Sequence, residues 1–406
     1  MDKKVWRLII SGVFLITWLL FLGGYVLLAQ ESSVIKVGEV SLGMSASLSL
    51  KWTDNVGLNE LNKNVESDWS ATANIGINLR YPLTKMVEFG LDATLGYTRW
   101  ADHDYVSSGL VGSSALSFDF PLAGWKLNLH DRYTRAVDPI GKEIPFVDNV
   151  LEYARTTNTL GISGLREFNK LKFSTGYDLI SYRTEGARFK QLSRDSHCIF
   201  ADLAAEVNPK VDLFTRLEHE ETDNRLNLFN DSLSDRIELG FRGRITPRLS
   251  GEVAVGYQTV DFKQTSSFTT DTSDFEGTVY RTNITHRLTS LTTQALDFNY
   301  QPEYGYALGN YYKWYNVSYR LNHKFTPRLT GNISFAYDNL EESGVAKSPS
   351  IRPEEANRKW FGLGTSYLIN PRTALDLAYS FVTKDSNLAG KEYDQNSLTL
   401  TLTYHF

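Results

Sequence analysis

An all-β fold, a single closed antiparallel barrel of about eighteen membrane-crossing strands, is predicted by three features of the sequence. Apolar and polar residues alternate over runs longer than about eight residues, a period that a strand can hold and a helix cannot. Short turns recur roughly every 40 residues, a spacing typical of repeated architectures. The polar face of the strands carries charge in mid-strand, where a soluble sandwich would need a core.

Composition removes other classes. Aromatic residues make up 13% of the chain and the net charge is −5, so disorder is excluded. Cys198 is the lone cysteine, which excludes a disulfide framework and any Cys-based zinc, haem or iron–sulfur site. A pI near 5.9 gives no electrostatic footprint for nucleic acid, which is not expected as a partner.

In chain order, residues 1–29 read as a secretory leader. Lys3, Lys4 and Arg7 precede an uncharged run from Leu8 to Ala29, the small residue at the cleavage point. The rival reading is an uncleaved membrane helix. Gly23-Gly24 weaken that reading, whereas Leu27, where a small residue is usual, weakens the leader. The barrel is expected over residues 34–406.

Its first strand alternates Val40, Leu42, Met44, Ala46, Leu48, Leu50 and Trp52 with Ser, Gly and Lys. Next, Val87, Phe89, Leu91, Ala93, Leu95 and Tyr97 alternate with Glu88, Gly90, Asp92, Thr94, Gly96 and Thr98. Near the end, Leu375, Leu377, Tyr379 and Phe381 alternate with Asp376, Ala378 and Ser380. Eight tight turns fall at Pro82, Pro121, Asn169, Asn208, Thr246, Thr289, Thr326 and Asn370. Proline pre-sets the turn backbone, and Asn or Thr bonds it locally. Nine longer polar loops, such as 53–68, 136–149, 262–273 and 339–356, complete the alternation. Eighteen strands of about 11–14 residues follow, too long for propeller blades. They are long enough to cross a bilayer at a tilt. The number is even, as a chain with both ends on one side requires.

Closure explains the charge. The apolar face meets lipid, the polar face lines a lumen, and no sheet edge is left unpaired in hydrocarbon. The expected lumen-lining charges are Arg80, Asp92, Arg132, Arg216, Glu218, Glu238, Arg242, Glu252, Arg281, Asp297, Arg320 and Asp376. Outward aromatics, among them Trp52, Tyr81, Tyr97, Trp125, Tyr133, Tyr257, Tyr300, Tyr367, Tyr379 and Tyr404, fit interfacial girdles, and outer-membrane lipid is the expected surround. Short turns are expected in the periplasm and longer loops outside. Arg216, Glu218, Arg236, Glu238, Arg242 and Glu252 are expected as neighbours, forming either a constriction or a salt-bridged wall. Trp100 and the cluster Tyr304, Tyr306, Tyr311, Tyr312 and Trp314 lie at loop-proximal ends, where rings stack on sugars or, more commonly, anchor at the interface. Connectors this short predict neither a plug domain nor a long constriction loop.

The ending Leu398-Thr-Leu-Thr-Leu-Thr-Tyr404-His-Phe406 resembles the assembly signal of bacterial outer-membrane barrels, with Tyr404 and Phe406 as its carriers. The resemblance implies a barrel-assembly machinery as partner. Leu48-Ser-Leu-Lys-Trp-Thr-Asp-Asn55 and the repeated Thr-Pro-Arg turns resemble the Putative beta-barrel porin 2 family over essentially the whole mature chain. That resemblance implies a bacterial outer-membrane channel in exopolysaccharide export, with a polysaccharide co-export lipoprotein as a possible partner. A passive porin for small hydrophilic solutes and a non-conducting structural or surface-interaction barrel are the alternatives.

Catalysis is not expected, and no cofactor or metal is. In Glu218-His219-Glu220-Glu221, alternation sends His219 to the opposite face from Glu218 and Glu220. His130 and Asp131 are separated in the same way. Neither a Gly-x-Ser-x-Gly elbow nor a His-Glu-x-x-His helix motif occurs.

Overall fold

The computed structural model describes residues 34–59, 65–102, 108–137, 154–185, 189–226, 228–266, 271–305, 309–344 and 352–406. The expected leader, Tyr306 and the centres of several longer loops, including most of 136–149, lie outside the described residues.

A short strand, β1 (Val34–Val37), precedes eighteen barrel strands. These are β2 (Val40–Thr53), β3 (Asp68–Thr84), β4 (Val87–Trp100), β5 (Gly109–Leu122), β6 (Trp125–Ala136), β7 (Ala154–Phe168), β8 (Leu171–Glu185), β9 (Arg194–Asn208) and β10 (Val211–Asn224). The circuit continues through β11 (Asp231–Arg244), β12 (Leu249–Lys263), β13 (Phe275–Arg287), β14 (Thr292–Tyr304), β15 (Tyr311–Lys324) and β16 (Leu329–Glu342). It ends with β17 (Glu355–Asn370), β18 (Thr373–Ser386) and β19 (Tyr393–His405). Each strand pairs antiparallel with the next, and β19 returns to pair with β2, Leu402 facing Leu48. The sheet therefore has no free side.

Seven of the eight turns sit where the sequence puts them; the first lies at Lys85-Met86, because Pro82 still pairs with Glu88 and Thr84 with Val87 at the end of β3. Thr246, Thr289 and Thr326 fold back so that their hydroxyls accept backbone N–H bonds of 2.9–3.2 Å from the turn. Asn208 and Asn370 do so with their amide oxygens. Ala123 and Asn169 occupy the left-handed region, at φ of 51° and 55°.

Alternation decides which face each side chain takes. Leu95, Leu160, Ile199, Leu217, Leu239, Phe241, Leu363 and Leu377 are exposed on the outer face, as lipid contact requires. Their neighbours Thr94, Asp202, Arg216, Glu238 and Arg242 point inward. Register holds across the seam, where Ser49 and Thr401 share a 2.9 Å hydrogen bond inside the barrel. Short turns lie on the periplasmic side and longer loops on the extracellular side.

Candidate functional site: the lumen and its stopper

By strand parity the twelve charged positions alternate with the exposed apolar side chains, and their contacts with one another are uneven. On β9–β13 they assemble into one ladder. The Asp202 carboxylate, almost fully buried, accepts two bonds from the Arg242 guanidinium at 2.7 and 2.9 Å, with Arg216 3.4 Å away. Glu238, also buried, accepts from Arg281 at 2.7 Å, and Arg281 reaches Glu252 at 2.9 Å. Arg236 lies 3.9 Å from Glu218 and 4.0 Å from Glu238. The Phe214 ring lies beneath the Arg242 and Arg216 guanidiniums, 4.7 and 5.7 Å from its centroid. Four carboxylates thus meet four guanidiniums, and the ladder carries no net charge. Bidentate, charge-assisted bonds of this kind hold their geometry. Asp202 and Arg236 join the expected charges on this face, as the parity of β9 and β11 requires.

The other half of the lumen is different. On β17–β19 and β2–β5 the inward positions are mostly Ser, Thr, Asn and Gly, as the alternation showed. Thr72 bonds Thr98 at 2.8 Å and Asn74 reaches Ser47 at 3.4 Å. Arg80 and Asp92 form a 2.6 Å pair, which holds the Asp92 carboxylate in the company of Asn78. Arg132 and Arg320 are exposed within the lumen and make no ion pair among the described residues. Asp376 also lacks an ion partner there, and Asp297 accepts from Asn283 and, at 3.2 Å, from Ser318. One wall is therefore long, charged and neutralised in place, and the facing wall is short and rich in hydroxyls.

Among the described residues, side chains from several strands and loops cross the extracellular third. Above Tyr300 the ladder between β13 and β14 ends, and β14 continues on β15 alone. Freed from β13, the strand end leans inward. The Tyr304 hydroxyl meets the Thr222 hydroxyl at 2.6 Å and donates to Glu220 at 2.7 Å, on a strand four places away round the barrel. Arg194 lies between the Tyr182 and Tyr304 rings, 4.4 and 4.3 Å from their centroids. Next to this bridge, Leu58, Tyr182, Phe189, Leu192, Phe229, Val382 and Tyr393 form one buried apolar cluster. Its members come from opposite walls and from three different loops. Trp314 donates to Asp338 at 3.1 Å, and Asp338 also accepts from Arg358 at 2.6 Å. Tyr312 is buried beside Leu340. Just before β17, buried Glu354 pairs with Lys384 of β18 at 2.8 Å and with Lys391 at 3.3 Å.

This stopper adds to the sequence reading, which expected neither a plug domain nor a long constriction loop and placed any constriction among the charges of β10–β12. It is built from strand ends and short loops, each contributing one or two side chains, so no single long segment announces it. Tyr312 and Trp314 share the parity of Asn316 and Ser318, and that signal pointed inward rather than to the membrane interface. Tyr304 has outward parity; only the parting of β13 and β14 brings it inside.

The loop rim is tied by Asp271. Burial raises its pKa, but hydrogen bonds from Ser273, Ser343 and the Asn310 N–H outweigh that and hold it below the ordinary carboxylate value. Asn230 joins through Asn310 at 2.8 Å. The candidate catalytic groupings stay apart. His219 bonds Asp235 at 2.7 Å on the outer face, and His130 bonds Asp178 at 3.0 Å inside. The second contact needs Gly161, where a Cβ would lie 2.0 Å from the Asp178 carboxylate.

At the seam, the Phe406 N–H donates to the Met44 carbonyl at 3.0 Å and its ring packs edge-on against Tyr404 at 5.1 Å.

Solved outer-membrane porins share this fold. OpdK from Pseudomonas aeruginosa is 12% identical and superposes at a TM-score of 0.51 over 89% of this chain and 98% of its own. OpdQ from the same organism is 13% identical, with a TM-score of 0.51 over 90% and 98%. A BenF-like porin from Pseudomonas fluorescens Pf-5 is 11% identical, with 0.51 over 90% and 99%. At such identities the likeness shows the architecture. No curated protein matches the chain in sequence. The sequence profile, however, matches across the whole barrel, residues 34–406, and the chain belongs to the Putative beta-barrel porin 2 family of integral outer-membrane proteins.

Proposed function

We propose that this barrel is a selective, normally closed channel for small hydrophilic solutes rather than an enzyme or a conduit for polymer. The observation that carries the reading is the pairing of a neutralised charged wall with a hydroxyl-rich wall below a stopper. A solute moving between them meets donors and acceptors on both sides without a strong field of either sign. The stopper limits what enters from outside. One of the solved structures of similar fold is OpdK with vanillate, a small aromatic carboxylate. Exopolysaccharide export drew on family resemblance alone, and the lumen lends it no support: a polymer would need the whole Tyr182–Arg194–Tyr304 bridge displaced.

The test is conductance of the purified protein in planar bilayers. The intact barrel should open rarely and pass small currents with weak ion preference. Tyr304→Phe, which deletes the hydroxyl that reaches Glu220 and Thr222, should raise the open time. The closed state also favours the non-conducting alternative. No current in either protein would establish that alternative, and a large, permanently open current in the intact protein would remove the stopper from the account.

A further inference from the structure

We propose that the wall has a side entrance where β13 and β14 part, taking small phenol-like molecules from the outer leaflet. The β12–β13 ladder runs up to Val260 and Phe275, and the β14–β15 ladder to Tyr304 and Tyr311. The ladder between β13 and β14 stops lower, at Tyr280 and Tyr300. Residues 275–279 and 301–304 therefore have no ladder partner across the gap. Pro302 falls in this stretch, and a residue without an N–H suits a strand edge. The two edges overlap rather than abut. Tyr304 and Tyr311 have outward parity, yet both touch groups of inward parity on other strands. Tyr304 reaches Glu220 and Thr222 of β10. The Tyr311 ring stacks on Phe262 of β12 at 5.9 Å and meets Phe275 of β13 edge-on at 5.5 Å. Phe262 and Phe275 alternate with Tyr257 and Tyr280, which are exposed on the outer face. The upper ends of β14 and β15 thus pass inside β12 and β13, and the overlap screens the bare edges from hydrocarbon.

Tyr311 shows which chemistry the cleft between the layers takes. Its side chain is a phenol. The ring belongs to a buried apolar cluster with Val260, Phe275 and Val279, and the hydroxyl donates to the Asp274 carbonyl at 3.2 Å. A free phenol offers the same ring and the same donor. The unladdered edges of β13 and β14 add backbone donors and acceptors beside it. At the foot of the cleft, Tyr280 and Tyr300 present aromatic rings 6.2 Å apart on the lipid side. A phenol dissolved in the outer leaflet enters there by displacing the Tyr311 ring, and it reaches the inward face without passing the stopper. This route is separate from the axial one proposed above and serves a different class of solute.

The full chain would be refolded into phosphatidylcholine vesicles with para-hydroxybenzophenone, a photoreactive phenol, then irradiated, and its adducts mapped by mass spectrometry. Adducts at Phe275, Val279 and Tyr311 should exceed those at Leu239 and Leu363 on the closed outer wall by about tenfold, which is roughly 1.4 kcal/mol of preference for the cleft. An excess of plain phenol should remove the cleft adducts and leave the wall adducts unchanged, a readout that needs no variant. Val279→Trp, which fills the cleft, should bring the adducts at Phe275 down to the wall level. Tyr311→Ala, which empties it, should raise them. Adducts spread evenly over the outer wall overturn the proposal, and so do cleft adducts that phenol does not compete. Equal labelling of Phe275 in the intact protein and both variants overturns it as well. No step of the test uses current, so a barrel that conducts nothing still gives an answer here.

Discussion

Among single residues, Asp202 carries the most. It is nearly sealed from solvent, and it is the shared acceptor of Arg216 and Arg242. Replacing it by Asn strands two guanidiniums that are only about a quarter exposed, which should cost roughly 1–3 kcal/mol after allowing for their partial hydration. Urea titration of folding in bilayers would measure the loss. The same change leaves four cations against three carboxylates in the ladder, so current through the variant should shift towards anions. Unchanged reversal potentials would place the ladder away from the ion path. The sequence showed which face Asp202 takes, because parity is a property of the strand. It could not show the partner, because Asp202 and Arg242 are two strands apart and their meeting depends on register and rotamer. Tyr304 was harder still, since its parity is outward and its inward lean follows from a break in the β13–β14 ladder.

For the strands, one comparison tests the assignment of faces. Leu377 and Asp376 are neighbours on β18, one exposed to lipid and the other inside. Leu377→Arg should destabilise the barrel by about 2–4 kcal/mol near the bilayer midplane, and Asp376→Arg should fold normally. Heat-modifiable electrophoretic mobility separates the two outcomes, and equal loss in both would refute the faces. Among the loops, the Asp271 knot predicts a pH response. Its carboxyl is held below the ordinary value near 3.8, so the charged form stabilises the folded loops. That contribution is complete above the ordinary value and is lost as pH falls through the lowered one. Protease cleavage of the extracellular rim should therefore rise on acidification below about pH 4. In Asp271→Asn the rise should be absent. Strands and turns were legible because their signals are local: period two, Pro, Thr and Asn. The stopper was not, because it is assembled from Leu58, Phe189, Phe229 and Tyr393, which lie far apart in the chain and meet only once the barrel closes.

At the scale of the whole molecule, eighteen strands follow from counting turns, and the closed circuit follows from the absence of any hydrophobic sheet edge that lipid could tolerate. Whether the lumen is open does not follow, since width sets only an upper limit on passage. The C-terminal residues bear on how the circuit is completed. We propose that Phe406 is read during assembly, so its deletion should lower the amount reaching the outer membrane while leaving detergent-refolded protein stable. Normal membrane levels of the truncated chain would refute that reading.

Seventeen of the eighteen pairings join strands that follow one another in the chain, whereas the last joins residues 352 apart, Ser49 and Thr401. Loop-closure entropy grows only logarithmically, so this pairing is little weaker at equilibrium than a hairpin. Kinetically it belongs to the end of folding, after the local pairings have formed. Until then the molecule is a sheet with two open edges, β19 and the part of β2 beyond its short pairing with β1, each complementary to the other wherever that other resides. Closing on itself competes with joining a second copy, and the effective concentration of one edge near its own partner sets the outcome. Yield of the monomeric barrel should therefore be a function of dilution, with crowded refolding diverting chains into linked, swapped assemblies.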